Sequence, residues 1–114
     1  MSINTTKLTE MDVTVGTATS TAAAATVNTQ TCVITTEALA TAAGATYTFT
    51  LTNSLINANT YVNTVVGKGT ATTGGLTQIF TTPAAGSAVI ILQNVTLAAV
   101  NGTVKLFINL SNLS

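Results

Sequence analysis

The charged side chains of this sequence are few enough to take one by one: Lys7, Lys68 and Lys105, with Glu10, Asp12 and Glu37, in 114 residues. Histidine is absent, which removes the usual general base near neutral pH and the commonest metal ligand. Glu10 and Asp12 lie far along the chain from Glu37, so the two-carboxylate pair of a glycoside hydrolase could be built only from distant segments. Cys32 is the single cysteine. No internal disulfide and no Cys/His metal site can form, and a calcium loop would need more acids. The setting of that cysteine, Thr31-Cys32-Val33-Ile34-Thr35, is strand-like and suits a small buried thiol better than a nucleophile. The sequence therefore predicts a protein that is not an enzyme and takes no metal and no cofactor.

Two further stretches could bind something. Gly67-Lys68-Gly69-Thr70 superficially matches a phosphate loop, but the G-x-x-x-x-G-K-[ST] spacing is missing because position 62 is valine, and no helical pattern follows. An exposed loop tip formed by Lys68, Gly69 and Thr70 is the better reading. Tyr47 and Tyr61 could stack on a sugar, although Tyr47 falls on the apolar side of its segment. The Asn-x-Ser/Thr triplets at Asn4, Asn94, Asn101, Asn109 and Asn112 are chance matches in a chain rich in both residue types.

Charged residues make up 5% of the chain, against roughly a quarter in ordinary soluble domains. A formal net charge of zero gives no field to attract phosphate backbones or anionic lipid, so neither nucleic acid nor a membrane is expected as a partner. The same scarcity removes repulsion between copies. Residues 1–12 contain no apolar core of signal-peptide length, and nothing later approaches the ~20 apolar residues of a membrane-spanning helix. Synthesis and assembly in a cytoplasm are the expectation.

The elements that must carry these residues are strands. From Gly44 to Asn53, Tyr47, Phe49 and Leu51 alternate with Thr46, Thr48, Thr50 and Thr52, the period of a half-buried strand. Further strands are expected at Thr31–Thr35, Thr60–Val66, Leu76–Thr82 and Ala88–Gln93. Pro83 should stop the fourth, and the apolar run Ala88 to Leu92 should be covered on both faces. Residues 67–75 should form a long flexible loop. Asn101-Gly102 should close a type I′ hairpin between 95–100 and 103–109. Residues 1–26 differ from the rest, with mixed charge and then a run of Thr and Ala that has no apolar stripe. They predict an extended N-terminal arm, with a short strand at Met11 to Thr17. Lys7, Leu8, Met11 and Val13 are its candidate contacts to a capsid or a neighbouring subunit.

An internal echo links two segments. Ala42-Ala43-Gly44 leads into a strand ending Phe49-Thr50-Leu51-Thr52-Asn53, and Ala84-Ala85-Gly86 into one ending Ile90-Ile91-Leu92-Gln93-Asn94. Two such units predict an all-β fold, a single antiparallel β-sandwich of jelly-roll or Greek-key type over residues 27–114, preceded by the arm of residues 1–26. The core would be thin, for there is no tryptophan and only three phenylalanines and two tyrosines.

The portion from Cys32-Val33-Ile34-Thr35-Thr36-Glu37-Ala38-Leu39 through Tyr47–Asn53, with Asn94 and Asn101-Gly102-Thr103, resembles β-sandwich modules of tailed-bacteriophage virion proteins, notably capsid decoration (cement) proteins. What the resemblance implies is a jelly-roll-like homotrimer in the virion. It would bind the major capsid protein on the outside of a phage head and reinforce the lattice. The alternative is a receptor- or carbohydrate-binding module of a phage fibre or spike, with Lys68 and its loop at the contact.

Overall fold

The computed structural model describes residues 15–112, which contain eight strands and no helix. These are β1 (Val15–Thr19), β2 (Ala24–Thr26), β3 (Thr31–Thr35), β4 (Thr46–Thr52), β5 (Thr60–Lys68), β6 (Leu76–Ala84), β7 (Ser87–Asn94) and β8 (Val104–Asn112). They form two four-stranded sheets, ordered β1-β3-β8-β5 and β2-β4-β7-β6. The facing sides of the sheets enclose one apolar core in a β-sandwich-like arrangement. The chain changes sheet at every connection except β6 to β7, which pair with each other.

The alternation in the sequence is what divides core from surface. Tyr47, Phe49 and Leu51 of β4 are buried while Thr46, Thr48 and Thr52 face outward. Across the ladder, Tyr47 opposes Leu92 and Phe49 opposes Ile90, and the rings of Tyr47 and Phe49 lie 6.4 Å apart by their centroids. Burying each of these large side chains stabilises the fold by about 1.5–3 kcal/mol. The threonines suit the outer side because their branched side chains are stiff on a pleated surface. β8 is two-faced in the same way: Leu106, Ile108 and Leu110 point inward, and Lys105, Phe107 and Asn109 point outward.

The two echoing segments become the adjacent central strands β4 and β7, which run antiparallel. Each begins after a glycine with positive φ, Gly44 at 79° and Gly86 at 81°, where a side chain would be strained. Each ends in a fully buried asparagine, Asn53 or Asn94. The backbone bonds are reciprocal: Gly44 N donates to Asn94 O at 2.9 Å, and Asn53 N donates to Gly86 O at 2.9 Å.

Several sequence expectations are corrected. The sheets are mixed rather than purely antiparallel, because β1 runs parallel to β3 and β2 parallel to β4. Residues 15–26, expected within an extended arm, are built into both sheets as these edge strands. The turn between them places Ala22 and Ala23 at φ 51° and 63°. Pro83 does not stop β6 but lies inside it, which is possible because β6 is an edge strand with a free side. In β7, Ala88, Ile90 and Leu92 face the core, whereas Val89 and Ile91 are only half-buried on the outer side.

Asn101-Gly102 makes no type I′ hairpin. Residues 95–100 are not a strand, and neither Asn101 nor Gly102 has positive φ. Gly102 is instead a close-approach position, since a Cβ there would meet Thr70 Oγ1 at 2.7 Å.

Candidate interaction surface

The one cluster of titratable groups among the described residues joins Ser20, Glu37 and Tyr47. The Ser20 hydroxyl donates to Glu37 Oε1, Ala23 N donates to Oε2 at 3.0 Å, and the Tyr47 hydroxyl donates to the carboxylate at 3.1 Å. Burial works to raise the pKa of Glu37. The bonds from Ser20, Tyr47 and the backbone outweigh it, so the carboxyl titrates below its ordinary value. Burial chiefly, with the nearby Glu37 charge, pushes the Tyr47 phenol up to about 12. The carboxylate is thus held ionised and saturated with donors, and the Ser20 side chain is almost wholly buried. This arrangement ties the β1–β2 turn to the body of the fold. A base already occupied by donors, beside a hydroxyl that no substrate can reach, has no geometry for hydrolysis.

Cys32 is likewise buried and free. Burial raises its pKa, although hydrogen bonds with Thr29 and Asn53, the latter donating from Nδ2, pull the other way. Among the described residues no three His, Cys, Asp or Glu side chains gather as a metal site. No helix there is long and apolar enough to cross a membrane.

The expected loop tip is more constrained than its glycines suggest. β5 continues to Lys68, and Thr70 and Thr103 then exchange backbone-to-hydroxyl bonds at 2.9 Å in both directions. Asn101 Oδ1 accepts from Thr72 N at 2.6 Å and Thr73 N at 3.0 Å. Lys68 and Gly69 therefore leave a pinned segment, with Thr70 held by its partner. Lys68 opposes Val104 and Gly67 opposes Lys105 in the ladder, so both described lysines come to one end of the β1-β3-β8-β5 sheet. Lys7, Leu8, Met11 and Val13 lie outside the described residues.

Comparison with known protein families, with curated proteins and with solved structures returns no match.

Besides Leu55 and, on β6, Ile79 and Phe80, the surface of the described residues carries two apolar features. The first is the outer face of the β1-β3-β8-β5 sheet, where one ladder row sets Val65 beside Phe107, Phe107 beside Val33 and Val33 beside Thr17. Tyr61 is 68% exposed and Phe107 44%, with Val65 and Val15 also exposed. The neighbouring rows supply Asn63, Asn109 and Thr31, and Lys105 is the one charge within the face. The second is the loop after β7, where Leu97 is completely exposed and Val95 is mostly so. This loop is rigid: Asn94 Oδ1 accepts from Thr96 N at 3.0 Å, and Asn94 Nδ2 donates to Ala98 O at 2.8 Å. Apolar groups fixed on a stiff scaffold suit contact with another macromolecule.

The sequence signals only the first feature. Tyr61, Asn63 and Val65 occupy the outward positions of a period-two pattern, as Lys105, Phe107 and Asn109 do. Leu97 has no such signal, since nothing in Val95-Thr96-Leu97-Ala98-Ala99 distinguishes a presented leucine from a buried one.

Proposed function

We propose that this chain is a structural virion protein that decorates the outside of a phage head and stabilises it through contacts with the major capsid protein. The single observation that supports the reading most is the outer face of the β1-β3-β8-β5 sheet, with Tyr61, Val65 and Phe107 exposed on regular strands and Lys105 as its one charge. Such a face can lie against a lattice with little desolvation cost for ions. Jelly-roll ancestry for the two strand-loop-strand units, β4 to β5 and β7 to β8, belongs to the same proposal. The test is to mix the purified chain with undecorated capsids. Saturable binding and a gain in capsid heat resistance are expected; absence of both removes the idea.

A carbohydrate-binding module of a fibre or spike is the second reading. What favours it is an open groove between β5 and β6 in which Tyr61 and Phe80 flank Asn63, Gln78 and Thr81, aromatic and neutral polar groups of the kind that hold sugars. A glycan array separates the two, because a decoration protein gives no signal there.

A further inference from the structure

We infer that β1 is exchanged between two copies of this chain: the turn at Ala22-Ala23 opens as a hinge, and each Val15–Thr19 strand lies along β3 of the other copy.

The turn between β1 and β2 is strained. Thr21 N donates to Ala24 O at 2.9 Å and Ala24 N returns a bond to Thr21 O at 3.1 Å, so two residues close it. Both sit at positive φ, Ala22 at 51° and Ala23 at 63°. A two-residue turn of this kind favours asparagine and glycine, because a Cβ in the left-handed region crowds the following carbonyl. Among the described residues these alanines are the only non-glycine positions with positive φ. An extended chain at 21–24 is free of that crowding, and a short strained connection between two strands invites exchange between copies.

β1 is also lightly held, and by groups that a second copy supplies equally. Val15, Thr17 and Thr19 are exposed, and Ala18 is only partly buried against the core. The attachments are the parallel ladder to Thr31–Thr35, Gly16 N donating to Thr29 Oγ1 at 3.1 Å, Ser20 N donating to Thr35 O at 2.8 Å, and the Ser20 hydroxyl on Glu37. All these partners lie between Thr29 and Glu37, so the β1 of another copy remakes each contact in the same register. Opening gives up the Thr21–Ala24 pair and the bond from Ala23 N to Glu37 Oε2 at 3.0 Å, at a turn whose Thr21, Ala22 and Ala24 are exposed to water.

The occupant that fits the vacated edge is a second copy. β3 without β1 presents Thr31–Thr35, an edge with no charge and no proline to blunt it. The place beside it is selective, since a Cβ at Gly16 would collide with Val27 Cγ1 and Thr29 Oγ1; the strand that enters needs glycine there, as β1 has. Neither β1 nor β3 contains a charge, so two copies meet without like charges opposed. Exchange of an identical segment is a low-cost route to a dimer, because contacts within one chain become the same contacts between two.

The experiment brings the full chain to millimolar concentration, holds it warm below its melting temperature so that the turn can open, and measures mass by sedimentation equilibrium. A two-chain mass is expected, slow to fall on dilution because β1 must detach first. Mixing Thr17→Cys chains with Val33→Cys chains locates the contact, since these positions are partners in the β1–β3 ladder. A mixed disulfide between the two variants is expected, with each variant alone as the control for random oxidation. Ala22→Gly combined with Ala23→Gly relaxes the closed turn and should weaken the dimer at least about tenfold. Ala22→Pro forbids positive φ and should give a two-chain mass at concentrations where the wild type is single. Should the proline variant misfold, the glycine variant, opposite in sign, still decides. A wild-type chain that stays single after this treatment overturns the inference. So does a dimer that forms no mixed disulfide, or one as tight with the two glycines as without them. The virion reading is separate: a chain that binds capsids but never exchanges β1 refutes only this inference, and one that exchanges but never binds them refutes only that reading.

Discussion

β4 with its following loop and β7 with its following loop are the same device used twice, and they differ in what the loop does afterwards. Both strands start at a positive-φ glycine and end at a buried asparagine whose side chain organises the turn. After Asn53 the chain sends Ile56 back into the core. After Asn94 it sends Leu97 out into solvent and returns only at Val100. Asn53 bridges to the β2–β3 loop by donating to Thr29 O at 2.7 Å and braces its own loop by accepting from Leu55 N at 2.9 Å. Asn94 does the same with a donor on both sides, reaching Thr41 O at 3.0 Å in another loop and Ala98 O at 2.8 Å in its own. A duplicated frame thus keeps stability in the asparagine and leaves one loop free to present an apolar side chain.

The sharpest way to break the comparison is to cut back the two loop residues. Ile56→Ala should cost about 2–4 kcal/mol, through lost burial and the cavity left behind, whereas Leu97→Ala should change stability by less than about 0.5 kcal/mol. Urea unfolding of both variants measures the contrast, and equal losses would show that Leu97 is not presented to solvent. Next in size are Asn53→Ala and Asn94→Ala. Each removes two or more hydrogen bonds that a fully buried side chain makes to backbone groups, at about 0.5–1.5 kcal/mol per bond, so both should destabilise by at least about 1 kcal/mol in the same measurement. If only one does, the two caps are not equivalent.

Smaller effects sharpen the equivalence. A Cβ at Gly44 or Gly86 would meet nothing within 4 Å, so alanine there costs only the left-handed backbone, about 1–2 kcal/mol. The two variants should melt within a degree or so of each other. Smallest is the pH dependence from Glu37, which belongs to the first unit alone through Tyr47. Its folded pKa lies below the ordinary value. The stability it contributes is therefore complete above the unfolded carboxylate pKa and disappears as pH falls through the folded one. Glu37→Gln should flatten that part of a stability profile measured between neutral and acid pH; an unchanged profile would place the acid sensitivity elsewhere.

How much of this was legible beforehand depended on whether a residue's role was local. The threonine and aromatic faces of β4, and the two faces of β8, follow from alternation alone. β1 showed in part, since the strand expected at Met11 to Thr17 overlaps it at 15–17, whereas β2 did not show, because Ala and Thr carry no apolar contrast and this strand is placed by parallel pairing with β4. Asn101-Gly102 misled for a related reason. The pair has the composition of a tight turn, yet Asn101 spends its side chain on Thr72 and Thr73, and Gly102 makes room for Thr70. Glu37 was readable as one of three acids, but its three donors come from Ser20, Ala23 and Tyr47, which only the fold assembles. The glycines of residues 67–75 pointed to mobility where the chain is in fact pinned to Thr103 and Asn101.

The single β6–β7 hairpin has a kinetic consequence. Every other pair of neighbouring strands is separated in sequence by at least one further strand or a crossing between sheets. Closing such long loops costs entropy before any contact repays it, and proteins dominated by distant pairings fold slowly, in milliseconds to seconds. The turn at Ala85-Gly86 is the one place where structure can begin locally. Until β4 pairs with β7 and the β1-β3-β8-β5 sheet closes over that nucleus, the chain spends its time as a hairpin in search of its other strands.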